Sequence, residues 1–179
     1  MTNFDRMFAL VSGHEGNYSG NPDDPGNWTG GAIGIGRCLG TKFGISAAAY
    51  PNADIPNLTL DEAKALYQHD YWDRIAGDRL PAPLALLVFD AAINNGTERA
   101  VSWLQDIAHV TRDGVVGPVT LAAVDRLAVG PDGVAGLCSE YLARRLVFMA
   151  SLSAWKTFGL GWARRLFKLP FETLPYLAK

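Results

Sequence analysis

Phe4, Met7, Phe8 and Val11 recur at three- and four-residue intervals, the spacing that lines one face of a helix. Thr2 or Asn3 can cap that helix, which is predicted to reach about His14, with Gly16 placed to end it. From Tyr18 to about Ile45 the periodicity is lost, and Gly, Pro, Asn and Asp dominate. Such a stretch excludes a long helix and predicts turns with one or two short strands, Ala32–Gly36 being a candidate hairpin strand.

Helical periodicity then returns. Thr59 with Glu62 three residues later is a capping box, predicting a helix to about Trp72 with Ala63, Leu66 and Tyr67 inward. After Pro81 and Pro83, an apolar helix carries Leu84, Leu87, Val88 and Ala91 and should stop near Asn94-Asn95-Gly96. A helix over 98–108 follows, then turns at Asp113-Gly114 and Gly117-Pro118, with Thr120 able to cap a helix through Leu127. The longest helix is predicted over 133–152, burying Leu137, Tyr141, Leu142, Leu146 and Met149. A short helix near 161–168 should end the chain. With no internal repeat and no Pro- or Ser-rich linker, the pattern describes one mainly α domain with a small β-hairpin or irregular insertion after the first helix.

Composition narrows the function classes. The chain has 179 residues, 49% of them hydrophobic and 19% charged, which suits a globular domain and not a disordered one. A net charge of −2 gives no overall electrostatic footprint for nucleic acid. Asp5 and Arg6 interrupt any leader-like apolar run, and no apolar run approaches the roughly 20 residues that span a bilayer. The expectation is synthesis in the cytoplasm without a signal peptide. Cys38 and Cys138 are too few for a disulfide scaffold and lack companions for a zinc site, so both are expected as plain thiols, with no metal and no cofactor.

Candidate chemistry concentrates in His14-Glu15-Gly16-Asn17-Tyr18 and Asn21-Pro22-Asp23-Asp24-Pro25-Gly26-Asn27-Trp28-Thr29. Glu15 falls at the end of the first predicted helix, where the macrodipole disfavours a carboxylate, and burial in a cleft would act the same way. A glutamic acid held protonated is what a glycosidase needs to protonate a leaving oxygen. Asp24, on the following loop, could remain ionised and orient a water or stabilise positive charge on the sugar. Two acids in two environments is how a protein separates their pKa values. By spacing alone, though, a Glu ending a helix is usually a solvated group, and Asp23-Asp24-Pro25-Gly26 is a good turn sequence.

These residues also resemble a known family. FALVSGHEG at 8–16, NPDDPGNWT at 21–29, TKFGIS at 41–46 and LTLDEAKALYQHDYW at 58–72 resemble the glycoside hydrolase family 108 muramidases, which include phage endolysins and prophage lysozymes. FDAAINNG at 89–96, WLQ at 103–105, DGVVGPVTL at 113–121 and the stretch 146–165 resemble the predicted peptidoglycan-binding region that follows in that family. The resemblance implies a lysozyme-like fold, with residues 1–80 as the catalytic-motif half and 85–175 as a helical, peptidoglycan-binding half. It implies hydrolysis of the β-1,4 bond between N-acetylmuramic acid and N-acetylglucosamine, with Glu15 the catalytic glutamate and Asp24 the second acid. The family's motif threonine is either Thr41, directly before Lys42-Phe43-Gly44-Ile45-Ser46, or Thr29, at the family's distance from Asp24. The Gly-rich residues 30–40 look like an insertion between the two. An endolysin would reach the wall after release, with a helper such as a holin.

Other residues carry two readings each. Tyr18, Trp28 and Trp72 could stack on pyranose rings or pack in a core. Asn94 and Asn95 could hydrogen-bond N-acetyl groups or cap a helix end. Asp90 reads as a buried structural acid, Gln105 matches the family without an evident chemistry, and His14 reads as structural. His69 and His109 read as surface residues. Arg164, Arg165 and Lys168, with Trp162, Leu166 and Phe167, form a basic amphipathic face that could touch an anionic envelope or simply dock a terminal helix. The partner expected is peptidoglycan, bound by a monomer. Two rival functions stay open: a lytic transglycosylase, which also uses one glutamate, and a non-catalytic peptidoglycan-binding module.

Overall fold

The computed structural model describes residues 2–11 and 18–177, with the backbone alone at residue 11 and from 173 onward. Its elements are mainly helical, as the periodicity predicts. The seven α-helices among the described residues are α1 (Asn3–Val11), α2 (Leu60–Tyr67), α3 (Ala82–Asn95), α4 (Thr97–Ile107), α5 (Pro118–Ala128), α6 (Gly133–Ser151) and α7 (Trp155–Leu177). Two short strands, β1 (Thr41–Lys42) and β2 (Ile45–Ser46), form one antiparallel hairpin. The chain divides into two compact units, one comprising residues up to Met7 with His69–Lys179, the other Phe8–Gln68.

In the smaller unit, α2 starts as its sequence predicts. The Thr59 hydroxyl accepts the Glu62 N–H, and the Glu62 carboxylate accepts the Thr59 N–H at 2.8 Å. That N–H and the Thr59 hydroxyl hold the Glu62 carboxyl below its usual range. Ile45, Ala47, Ile55, Leu58, Ala63 and Tyr67 are buried, and Phe8 meets Tyr67 edge-on at 5.3 Å. The strands fall at Thr41–Ser46, and the expected strand at Ala32–Gly36 does not form. Gly31, Gly34 and Gly36 all take positive φ, which curls residues 31–36 into turns. The β1–β2 turn has Phe43 and Gly44 both at positive φ, the pairing that matches strand twist. Gly44 is required twice over, because a Cβ there would also strike the Tyr67 hydroxyl.

In the larger unit, α3 is buried at every position from Pro83 to Ala92 and is packed by α4, α6 and α7. A helix apolar on all sides belongs in a core. Its one charged residue, Asp90, is buried as expected and accepts from two arginines: Arg145 Nη1 at 2.6 Å and Arg165 Nε at 2.9 Å. Arg145 Nε also donates to Asn95 Oδ1 at 2.8 Å. The buried stripe of α6 is therefore Leu137, Tyr141, Arg145 and Met149, with Leu142 and Leu146 half-buried. Tyr141 donates to the Ala100 carbonyl at 3.1 Å, and its burial pushes the phenol upward.

Three further expectations need correction. Trp72 lies in a π-helical turn (Gln68–Trp72) that continues from α2, and its ring is fully buried against Phe4, Phe89 and Gly77. No face is left to stack on a sugar. Thr120 does not cap α5, which starts at Pro118 with Gly117 at the cap. Instead Thr120 is buried beside Gln105, whose amide binds Asp113 Oδ1 at 2.6 Å and the carbonyl of Val115 at 3.1 Å. Gln105 thus pins the 113–115 turn, and the Val115 N–H, with the Gln105 amide, holds the Asp113 carboxyl low. Finally, the last helix spans Trp155–Leu177, far longer than 161–168. On it Arg165 is tied to Asp90, and Lys168, largely exposed, pairs with Glu172 at 3.0 Å.

Cys38 and Cys138 are free, as expected, and burial pushes the Cys138 thiol up to about 12. His69 and His109 are exposed. No helix among the described residues is long and apolar enough to cross a membrane.

Arg145→Met should cost about 3 kcal/mol, at the low end for removing one partner of a buried pair, because Arg165 still faces Asp90. Urea unfolding followed by circular dichroism measures it; a loss under about 1 kcal/mol would mean that Arg165 alone satisfies the carboxylate.

Candidate functional site

The polar segment after Tyr18 has little apolar material to pack, so its shape is held by backbone and amide hydrogen bonds. Pro22 to Pro25 turn sharply: the Asp24 N–H donates to Asn21 O at 3.2 Å, and Asp24 then caps a 3-10 turn at Pro25–Asn27. Asp24 Oδ1 accepts the Gly26 N–H at 2.9 Å, an Asx-type bond that fixes the carboxylate while leaving the side chain exposed. Trp28 is half-buried, and its indole N–H donates to Pro22 O at 2.8 Å.

Asn27 organises this segment. It is fully buried, and every polar group it carries has a partner. Its N–H donates to Asp24 O at 3.1 Å and its side-chain amide to Asn21 O at 2.9 Å. Its carbonyl accepts from Leu39 and Gly40, and Oδ1 accepts the Thr41 hydroxyl at 2.7 Å. A buried amide satisfied in this way specifies a conformation, since any alternative leaves polar atoms dry. Thr41 is also held through its backbone, which exchanges two hydrogen bonds of 2.8 Å with Ser19. The structure therefore joins Asp24 and Thr41 through one intervening residue.

Thr29 does something different. Its N–H and hydroxyl bind the Arg37 carbonyl and N–H, both at 2.9 Å, and close the base of the Gly-rich excursion. The bridge between Trp28 and Cys38 lies directly beneath. Gly36 has no room for a Cβ because the Thr29 hydroxyl occupies that space. The insertion read from residues 30–40 is a turn-rich loop clamped at its neck.

Tyr18 lies against Gly20 and Gly40 and is 46% exposed, so it remains available to a ligand. Glu15, and with it His14, lies outside the described residues. Asn94 and Asn95 sit on the last turn of α3, in the other unit, and both amides already have partners: Asn94 donates to Asp90 O at 2.7 Å and Asn95 accepts from Arg145. Among the described residues no group of His, Cys, Asp and Glu is placed to hold a metal ion.

Asn27 was within the motif at 21–29 but carried no separate signal. A buried Asn is indistinguishable from a turn Asn until the burial is seen. The residue before Trp28 in a Pro- and Gly-rich run reads as solvent-facing by composition alone.

Thr41→Val should cost about 1 kcal/mol and loosen the 39–41 amides, because Asn27 Oδ1 would be left buried without its donor. Hydrogen exchange at Gly40 and Thr41 reads it directly; unchanged protection would mean that the Asn27 contact is incidental.

Comparison with known proteins places these elements in context. The family model "Glycosyl hydrolase 108" matches residues 8–96, and the model "Predicted Peptidoglycan domain" matches residues 99–167. A solved structure titled "Structure of Brucella abortus SagA" is similar at 32% identity and a TM-score of 0.78, covering 98% of this chain and 96% of that one. A comparison with curated proteins returns no match. With the mainly α, lysozyme-like architecture and both models in the family's order, the chain belongs to glycosyl hydrolase family 108 and carries the family's peptidoglycan domain.

Proposed function

We propose that this glycoside hydrolase is a muramidase that hydrolyses the β-1,4 bond between N-acetylmuramic acid and N-acetylglucosamine. The observation that carries the reading is the Asp24–Asn27–Thr41 arrangement inside the segment matched by the hydrolase model. It presents an exposed carboxylate on a backbone that cannot easily move. Glu15 serves as general acid and protonates the glycosidic oxygen as the bond breaks, the role the family resemblance gives it. Asp24 stays ionised, with Oδ1 anchored by the Gly26 N–H, and faces the positive charge that develops on the sugar ring or the water that attacks it.

Thr41 is the motif threonine on this reading. Its hydroxyl proton is committed to Asn27, so its oxygen can accept a hydrogen bond from a water near Asp24's segment. The Thr29 hydroxyl instead accepts from Arg37 and holds the loop neck. Tyr18, half-exposed beside Gly40, is the aromatic face placed to meet a sugar ring.

Glu15→Gln should lower turnover by about 10²–10⁴-fold or more with the fold intact. Mass spectrometry of fragments released from purified peptidoglycan should show reducing N-acetylmuramic acid ends for the wild type alone. Anhydro ends would make the enzyme a lytic transglycosylase, and wild-type-like release by Glu15→Gln would remove Glu15 from the chemistry. Asp24→Asn should slow hydrolysis strongly while sedimentation with the wall is unchanged; normal kinetics would reduce Asp24 to a turn residue.

A further inference from the structure

The C-terminal model names peptidoglycan as the ligand class without saying which part of the polymer it grips. An open groove of about 560 Å³ runs along the first turns of α4, lined by Thr97, Glu98, Arg99, Ser102, Arg112 and Phe148. A smaller opening of about 310 Å³ shares Thr97, Glu98, Ser102 and Arg112 and adds Arg74, Asp113 and Gly114. The volume suits a short peptide or a small saccharide.

The lining distinguishes the two. An open aromatic face is the usual platform for a pyranose ring, and this groove offers none. Trp103 is 8% exposed, wedged between Tyr141 at 6.1 Å and Phe148 at 5.4 Å. The Phe148 face is covered by the Arg99 guanidinium, 4.3 Å from the ring centre. What the groove presents instead is charge and hydrogen-bond donors. Arg99 is held in place by the ring and by a 2.8 Å bond from Nη1 to Asn95 O, leaving its other N–H groups to donate. Arg112 is paired with Asp106 but its side chain is 64% exposed. The first hydrogen bond of α4 runs from Ala100 N to Gly96 O, and Gly96 has no side chain to cap the turn. The N–H groups of Thr97, Glu98 and Arg99 therefore have no acceptor within the helix and point where an anion is favoured. Glu98 lies beside them as an acceptor for a cation.

We infer that this groove binds the stem peptide of peptidoglycan, a carboxylate of the peptide lying at the α4 N-terminus against Arg99 and Arg112, and its free amine against Glu98. The inference deepens the peptidoglycan reading and rests on it for the ligand class. Stem peptides carry several carboxylates and, where not cross-linked, a free amine, whereas the peptide-bearing glycan carries neither, its lactyl carboxyl being taken up in the amide bond to the peptide. The groove would thus read the peptide while the Asp24 segment reads the sugar.

The test is NMR titration of the full-length ¹⁵N-labelled chain with three soluble probes: an N-acetyl-L-Ala-γ-D-Glu-diaminopimelate-D-Ala tetrapeptide, the same peptide with its carboxylates amidated, and the N-acetylglucosamine–N-acetylmuramic acid disaccharide with its lactyl carboxyl amidated. The unamidated peptide should shift the amides of Thr97, Glu98, Arg99 and Ser102. Amidation or Arg99→Gln should weaken it about tenfold or more, as expected for a lost charge-assisted hydrogen bond. Ser102→Phe, which fills the groove, should do the same. Shifts at these amides from the disaccharide alone, no shifts from the peptide, or equal affinity for the amidated peptide would each overturn the proposal. Wall digestion by the same sample separates the two readings: peptide shifts without digestion keep the groove and remove the muramidase, and digestion without peptide shifts removes the groove alone.

Discussion

The larger unit depends on one buried carboxylate. Asp90 sits in the middle of α3, a helix with apolar neighbours on every side, at 1% side-chain exposure. A bare anion there would be costly, and Arg145 of α6 and Arg165 of α7 both reach it. A carboxylate hydrogen-bonded from two sides ties α3, α6 and α7 to one relative placement. Arg145 then carries the constraint onward to Asn95 at the end of α3, where the chain turns through Gly96 into α4. The α4 groove inherits its geometry from that chain of bonds, since its Asn95 wall is fixed by the same guanidinium.

The smaller unit solves a different problem by different means. Between Tyr18 and Gly40 there is too little apolar surface to hold a loop, and Asn27 replaces the missing core with a set of satisfied hydrogen bonds. Such a segment is stiff only while every bond is made. That suits a site in which an exposed acid must keep its place without being buried.

Much of this was legible in the sequence, and the exceptions have physical causes. The capping box at Thr59, the apolar helix ending at Asn95 and the extent of α6 follow from local rules that the tertiary structure reinforces. Asp90 was legible because an acid amid Leu, Val and Ala has nowhere to go but inward. Arg145 was not, because an arginine next to Arg144 reads as the solvent face, and only its distant partner explains its burial. The run of α7 past Lys168 was not legible because Pro170 and Pro175 read as helix breakers. Trp72 kept two readings in the sequence, since burial of a tryptophan depends on neighbours far along the chain, here Phe89. At the candidate site, the motif names Asp24 and leaves two threonines open, and the two differ in what each hydroxyl touches.

The neck of the Gly-rich loop has a consequence for how this protein can vary. Thr29 and Arg37 close it, and the Trp28–Cys38 bridge seals it from below, so residues 30–36 hang from a fixed frame. Changes in length or side chain at the tip stop at that frame and do not reach Asn27. The loop is a module: its rim can be rebuilt to suit a different wall, longer or shorter, apolar or charged, while the acid-bearing turn beneath keeps its shape. Ile33 and Ile35, both more than half exposed at that tip, are where such tailoring would begin.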